Sequence, residues 1–268
     1  MSFLDLPPRS SKPREQGLTH VLDRGLSVAE VEGLMEVAGD FVDFVKLGWG
    51  TALVTGNLEQ KLARYRESAI PVVLGGTLTE ISIAQRRVEG LVEYMRRHGL
   101  RHVEISDGTI MLPHRDKLAL IERLAGEFTV FSEVGSKDDS RIMAPYRWVE
   151  QIETELEAGA WRVIAEARET GNAGIYRSSG EVRMGLIDEI AHAIDVRRLI
   201  FEAPRKEQQV WFLRRFGPEI SLGNIAPDDV LSLETLRLGL RSDTAFAEPI
   251  TSDEQEFEEV PPRRDRPT

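Results

Sequence analysis

The sequence predicts a single α/β domain of the (β/α)8 class, a TIM barrel, and three observations carry that expectation. Short apolar runs enriched in Val, Ile and Phe recur along the chain, and each is followed by a stretch of helical periodicity. Strands never follow one another directly, which points to a parallel sheet. The alternation closes at eight units between residues 17 and 244, near the ~250 residues typical of such barrels. An open doubly wound sheet is the rival, and it is weakened because no GxGxxG fingerprint follows the first strand.

The elements fall in order. The run LTHVLD (18–23) precedes SVAEVEGLMEVAG, in which Ser27 and Glu30 form a capping box that satisfies two orphan backbone donors. FVDFVKL (41–47) precedes NLEQKLARYRES, and IPVVLG (70–75) precedes one long predicted helix, ISIAQRRVEGLVEYMRRHG. That helix ends on basic residues and Gly99, which suit the dipole and a left-handed cap. LRHVEIS (100–106) leads to PHRDKLALIERLAG, where Pro113 occupies a first turn that needs no donor. FTVFSEV (128–134), WRVIAEA (161–167), RLIFEA (198–203) and EISLGN (219–224) complete the strands. Their helices are APYRWVEQIETELEAG, VRMGLIDEIAHAI, PRKEQQVWFLRRFG and PDDVLSLETLRLGL.

Composition narrows the class. No apolar run reaches the roughly 18 residues of a membrane helix, and the N-terminus lacks a secretory apolar core. A chain without cysteine has no disulfide or thiolate chemistry and fits the cytoplasm. A net charge of −11 opposes nucleic-acid binding. Residues 1–16 and 245–268 are rich in Pro and charge, so both are expected to be tails flanking the barrel at 17–244. Trp148 and Trp211 are candidates for an exposed association surface, although core packing explains such residues more often.

In barrels of this class the chemistry sits where strands end. Here those ends carry Asp23, Lys46, Glu104 with Ser106 and Asp107, Glu133 with Lys137, Glu166 with Arg168, Glu202, and Asn224. Side chains alternate along a strand, so Lys46 opposes Val45 and Leu47, and Glu104 opposes Val103 and Ile105. Charges converging on one barrel mouth must pair with each other or with a ligand. Carboxylates on rigid strand ends suit Mg²⁺, whereas the five histidines show no zinc spacing. His20 and His102 are expected to be hydrogen-bonded structural residues. Gly48, Gly50, Gly75 and Gly76 allow close backbone approach to an anion, with Trp49 expected to be a packing plug. Arg205 and Lys206 lie where barrels often hold phosphate, and solvated helix residues are an equal account of them.

Taken together, GLTHVLDRGLS, FVDFVKLGWGTALV, GGTLTE, VEISDGT, EVGSKD, EARETGN, LIFEAPRKEQQ and NIAPDDVLSLETLRLGLRSDT resemble the phosphosulfolactate synthase family of coenzyme M biosynthesis from Gly17 to Thr244. They also resemble plant heat-stress-associated relatives. The resemblance implies a Mg²⁺-dependent barrel enzyme that adds sulfite to phosphoenolpyruvate to give (2R)-phospho-3-sulfolactate. It also implies a homo-oligomer, with a trimer as the expected assembly. On that basis Lys137 is the expected acid, with Glu166 as a second catalytic residue. Glu104, Glu133 and Asp107 are the expected metal carboxylates. Lys46, Gly48, Gly50, Gly75, Gly76, Arg168, Asn224 and Arg205 are expected to bind substrate. A barrel enzyme for another small phosphorylated or carboxylated anion, and a non-catalytic stress-related relative, are the alternatives.

Overall fold

The computed structural model of the chain describes residues 3–135, 143–168 and 170–245. Strands and helices alternate as β1 (Thr19–Asp23), α1 (Val28–Ala38), β2 (Phe44–Leu47), α2 (Leu58–Glu67), β3 (Val72–Leu74), α3 (Gly76–Ala84), α4 (Val88–His98) and β4 (His102–Ile105). They continue as α5 (His114–Ala125), β5 (Thr129–Val134), α6 (Pro145–Glu157), β6 (Arg162–Ala165), α7 (Met184–Ala193), β7 (Leu199–Glu202), α8 (Lys206–Phe216), β8 (Leu222–Ile225) and α9 (Val230–Arg237). All eight strands are parallel to their neighbours, and β1 pairs with β8 to close the barrel. No helix among the described residues is long and apolar enough to cross a membrane.

Strand alternation sorts the side chains into two cores. Val45, Val103, Ile105, Val163 and Phe201 face outward and pack against Leu62, Leu91, Ile152 and Phe212 of the helices. Inside the barrel, Leu18, Val73, Phe131, Ile164 and Ile200 form a separate cluster with Phe44 and Trp161. The rings of Phe44, Phe131 and Trp161 lie 5.2–5.3 Å apart, centre to centre, and fill the end of the barrel where the strands begin. His20 stacks on Phe131 at 5.6 Å. Contrary to expectation His20 is not tied by its Nε2, which has no hydrogen-bond partner. Burial, reinforced by Lys46, holds its pKa well below the ordinary histidine value, so it sits there neutral.

Two local expectations are corrected, and for the two tryptophans the core-packing account holds. The long helix predicted from Ile81 is two, because the backbone turns at Arg86 (φ 57°) and α3 already begins at Gly76. Trp148 is 1% exposed, a core residue rather than an association surface, and Trp211 is partly buried against the same core. The N-terminal segment is held against the barrel instead of hanging free of it. Arg9 pairs with Glu234 at 3.0 Å and Glu219 at 3.4 Å, and Arg14 pairs with Asp43 at 3.1 Å. Composition hid this, because the anchoring groups are themselves charged. Of the C-terminal segment, residues 246–268 lie outside the described residues.

Buried ion pairs fasten the loops that follow the strands. Asp23 accepts from the Gly25 and Leu26 amides and the Tyr65 hydroxyl, each at 2.8 Å, and pairs with Lys61 at 2.6 Å. Lys61 is 1% exposed and Asp23 fully buried. Removing one partner of such a pair strands the other charge. A Lys61→Met variant is therefore expected to lose roughly 3–5 kcal/mol of unfolding free energy in urea titration; an unchanged midpoint would mean the amides and Tyr65 suffice for Asp23.

Candidate active site

The mouth of the barrel is organised around Lys46, the third residue of β2. Its inward register sets it opposite Leu22 of β1 and Val73 of β3. Its ammonium lies 3.0 Å from Glu104 and 3.2 Å from Glu202. Burial alone would lower the Lys46 pKa, but Glu104, Glu202 and Glu133 outweigh it and keep the group above the ordinary lysine value. Glu104 uses its other oxygen to accept the Gly76 amide at 2.8 Å, the first donor of α3. Glu202 accepts the Ala167 amide at 2.9 Å. Burial pushes Glu104 up to about 7, against the pull of Lys46 and assisted by Glu133 and Glu202. Burial raises Glu202 as well.

Glu133, Glu166 and Glu202, from the ends of β5, β6 and β7, can bring carboxylate oxygens within 4.8 Å of one another. All three are buried. Three like charges this close repel unless a cation or protons intervene. Hard oxygen donors on rigid strand ends fit a small divalent cation such as Mg²⁺ better than a softer metal.

These groups line a cavity of about 360 Å³ together with Gly48, Gly75, Gly76, Thr77, Thr109, Trp49, Arg168 and Asn224. Among the described residues of this lining, Glu104, Glu133, Glu166 and Glu202 supply carboxylates, and Lys46 and Arg168 supply cations. Non-glycine residues with positive φ among those described are Trp49, Ala69, Arg86, Arg168 and Asn224, and three of these five line this cavity. Such conformations cost of order 1–3 kcal/mol each and gather where function requires a fixed direction. The Arg168 amide donates to Glu166, while its guanidinium has no carboxylate partner among the described residues. Asn224 is 7% exposed, and its Oδ1 is buried without a hydrogen bond. A methyl group at Gly76 would fall 2.3 Å from Ser106 Oγ and 2.7 Å from Glu104 Oε1, so only glycine lets α3 start against these side chains.

The structure thus brings together Lys46, Gly48, Gly75, Gly76, Glu104, Glu133, Glu166, Arg168 and Asn224. Other candidates are placed elsewhere. Asp107 turns away to Lys117 at 3.0 Å, and Lys117 also reaches Glu155 at 2.8 Å and the Glu133 carbonyl at 2.6 Å. Neither Asp107 nor Glu104 belongs to the three-carboxylate group, which contains Glu133 of the expected metal carboxylates. Gly50 is absent from the cavity wall. Arg205 lines a different cavity on the outer side of α7 and α8, with its Nε donating to the Thr170 carbonyl at 2.7 Å. Lys137 lies outside the described residues. Trp49 is 52% exposed at the rim, with the Arg24 guanidinium 5.5 Å above its ring, so it is no packing plug. Glu202 was left out of the expected ligands, although its register with Ile200 already turned it inward.

A closed parallel barrel that gathers strand-end carboxylates, a lysine and an arginine around one mouth cavity has the architecture of a (β/α)8 enzyme. Comparison makes the class specific. Residues 7–243 match the (2R)-phospho-3-sulfolactate synthase (ComA) family. The phosphosulfolactate synthase of Bacillus subtilis is 44% identical over 91% of this chain and 98% of its own. That of Methanothermobacter thermautotrophicus is 42% identical over 89% of this chain and 95% of its own. The Arabidopsis thaliana protein HEAT-STRESS-ASSOCIATED 32 is 23% identical over 88% of this chain and 91% of its own. Among solved structures, the YdjI aldolase of Escherichia coli superposes with a TM-score of 0.53 at 12% identity, covering 83% of this chain and 82% of that one, a likeness of fold alone. The chain belongs to the phosphosulfolactate synthase family, a family of lyase-type enzymes.

The Glu104 pKa has a measurable sign. A carboxyl raised from 4.5 to about 7 on folding favours the folded state fully below pH 4.5 and loses that contribution as pH rises through 7. Glu104→Gln does not titrate, so its unfolding free energy is expected to vary less than wild type between these pH values. Denaturant titrations across the interval read this, and equal slopes would remove Glu104 as the titrating group.

Proposed function

We propose that the protein adds sulfite to phosphoenolpyruvate to form (2R)-phospho-3-sulfolactate, with Mg²⁺ held by Glu133, Glu166 and Glu202. The observation that carries this reading is the convergence of those three carboxylates beside Lys46 and Arg168 in one small cavity. Family membership supplies the reaction class.

In that reaction the sulfur lone pair forms a bond to the methylene carbon of phosphoenolpyruvate. The carbon–carbon π pair shifts toward the substrate carboxylate and then returns to carbon two, where it takes up a proton. Bound Mg²⁺ supplies Lewis-acid stabilisation of charge on the substrate carboxylate. Lys46, fixed between Glu104 and Glu202, remains protonated and presents an N–H donor to the same oxygens. Arg168 offers a planar fork of donors for the phosphate. Asn224 and the backbone of Gly75 and Gly76 form the facing wall. The proton for carbon two is assigned to Lys137 on the family resemblance. A homo-oligomer, taken as a trimer on the same resemblance, is part of the proposal and is checked by light scattering.

Phosphoenolpyruvate-dependent loss of sulfite is expected with Mg²⁺ and not after chelation. Absence of turnover despite a Mg²⁺-induced rise in melting temperature would reassign the site to another small anion. Two variants test the roles separately. Lys137→Ala is expected to abolish turnover while the circular dichroism spectrum is unchanged, and full retained activity would remove Lys137 from the mechanism. Glu202→Gln is expected to lose the thermal shift produced by Mg²⁺, since a ligand stabilises only the state it binds; an undiminished shift would place the ion elsewhere.

A further inference from the structure

A second cavity, of about 1220 Å³, lies outside the barrel between the loop preceding α7 and the first half of α8. Arg177, Arg183 and Arg205 line it, over a wall that includes Leu186 and Trp211. The three guanidinium groups have no carboxylate partner among the described residues. Among the described residues, Arg183 and Arg205 donate to the carbonyls of Gly174 (3.0 Å) and Thr170 (2.7 Å), and no side-chain hydrogen bond ties Arg177. Burial, with the neighbouring charge of Arg177, lowers the Arg183 pKa, the mark of cations facing one another. Glu181 and Glu207 share the lining, and neither forms an ion pair with these arginines. Unmatched cations above an apolar wall are unusual in a chain of net charge −11.

The last described residues are tied to α8, the helix that forms one wall of this cavity. Asp243 pairs with Lys206, the first residue of α8, at 2.8 Å, and its carbonyl accepts from Arg214 at 2.7 Å. Two residues later the description stops, and the sequence continues as FAEPITSDEQEFEEV. Asp253, Glu254, Glu256, Glu258 and Glu259 surround a single aromatic residue, Phe257. The ten residues from Asp243 to Asp253 span up to roughly 33 Å when extended, and crossing one helix takes about 10–12 Å.

We propose that the acidic segment Asp253–Glu259 docks in this cavity of its own chain, setting its carboxylates against Arg177, Arg183 and Arg205 and Phe257 against Trp211 and Leu186. Reach, charge sign and the apolar wall all match that occupant. Docking there would brace the loop that leaves the mouth after Glu166 and Arg168.

The chain has no cysteine, so Gln255→Cys accepts a single nitroxide label. At about 0.1 M salt the full-length labelled protein is expected to give an immobilised spectral component. Raising salt to about 1 M, which cuts the Debye length from about 10 Å to about 3 Å, should release most of it. Adding Arg177→Glu should lower the ratio of immobilised to mobile signal by up to roughly fivefold, the upper scale of losing one exposed ion pair. Arg177 is exposed, so an unchanged melting temperature checks that this variant folds. A freely mobile label at low salt overturns the proposal. Immobilisation insensitive to Arg177→Glu, or lost on dilution as docking on a second copy would be, overturns it equally.

Discussion

The site depends on one electrostatic constraint, the ammonium of Lys46 held inside a closed barrel between Glu104 and Glu202. A charge withdrawn from water must be matched locally, and Glu104 and Glu202 do this for Lys46. The barrel creates the problem by construction. Its lower half is filled with Phe44, Phe131 and Trp161, so the upper half has low-dielectric walls and strand ends that cannot drift apart. The hard oxygen donors gathered in that upper half are of the kind that fits a small divalent cation.

Other buried charges among the described residues form networks of their own. Asp23 is matched by Lys61, Tyr65 and two amides. Lys117 is enclosed by Asp107, Glu155 and a carbonyl, and Glu80 takes donors from Ser106 and Thr109. These networks stand outside the barrel wall and tie each loop to its neighbouring helix. Lys117 also donates to the Glu133 carbonyl, which fixes that strand end from outside the cavity.

Much of this was legible from residue order. Alternation within FVKL and HVEI placed Lys46 and Glu104 inward, and the count of strand–helix units closed the barrel. What stayed hidden depended on partners distant in sequence. Asp107 reads as a metal carboxylate from its place after β4, yet Lys117 claims it. Arg205 reads as a phosphate ligand from its place after β7, yet its side chain is drawn to the Thr170 carbonyl on the outer face. The N-terminal segment reads as solvated because Arg9 meets Glu219 and Glu234 more than two hundred positions away. Local pattern encodes which way a side chain points, and tertiary competition decides which of several like groups remain unclaimed.

Those last contacts bear on how the chain is made. Arg9 meets groups 210 and 225 positions along, and β1 completes its pairing only with β8. On the ribosome both clasps must wait for the final strand and helix to emerge. Until then β1 and β7 present open edges that invite pairing with other chains. Joining ends so remote slows assembly, so this polypeptide leaves synthesis with its seam open and the latch on that seam the last part to engage.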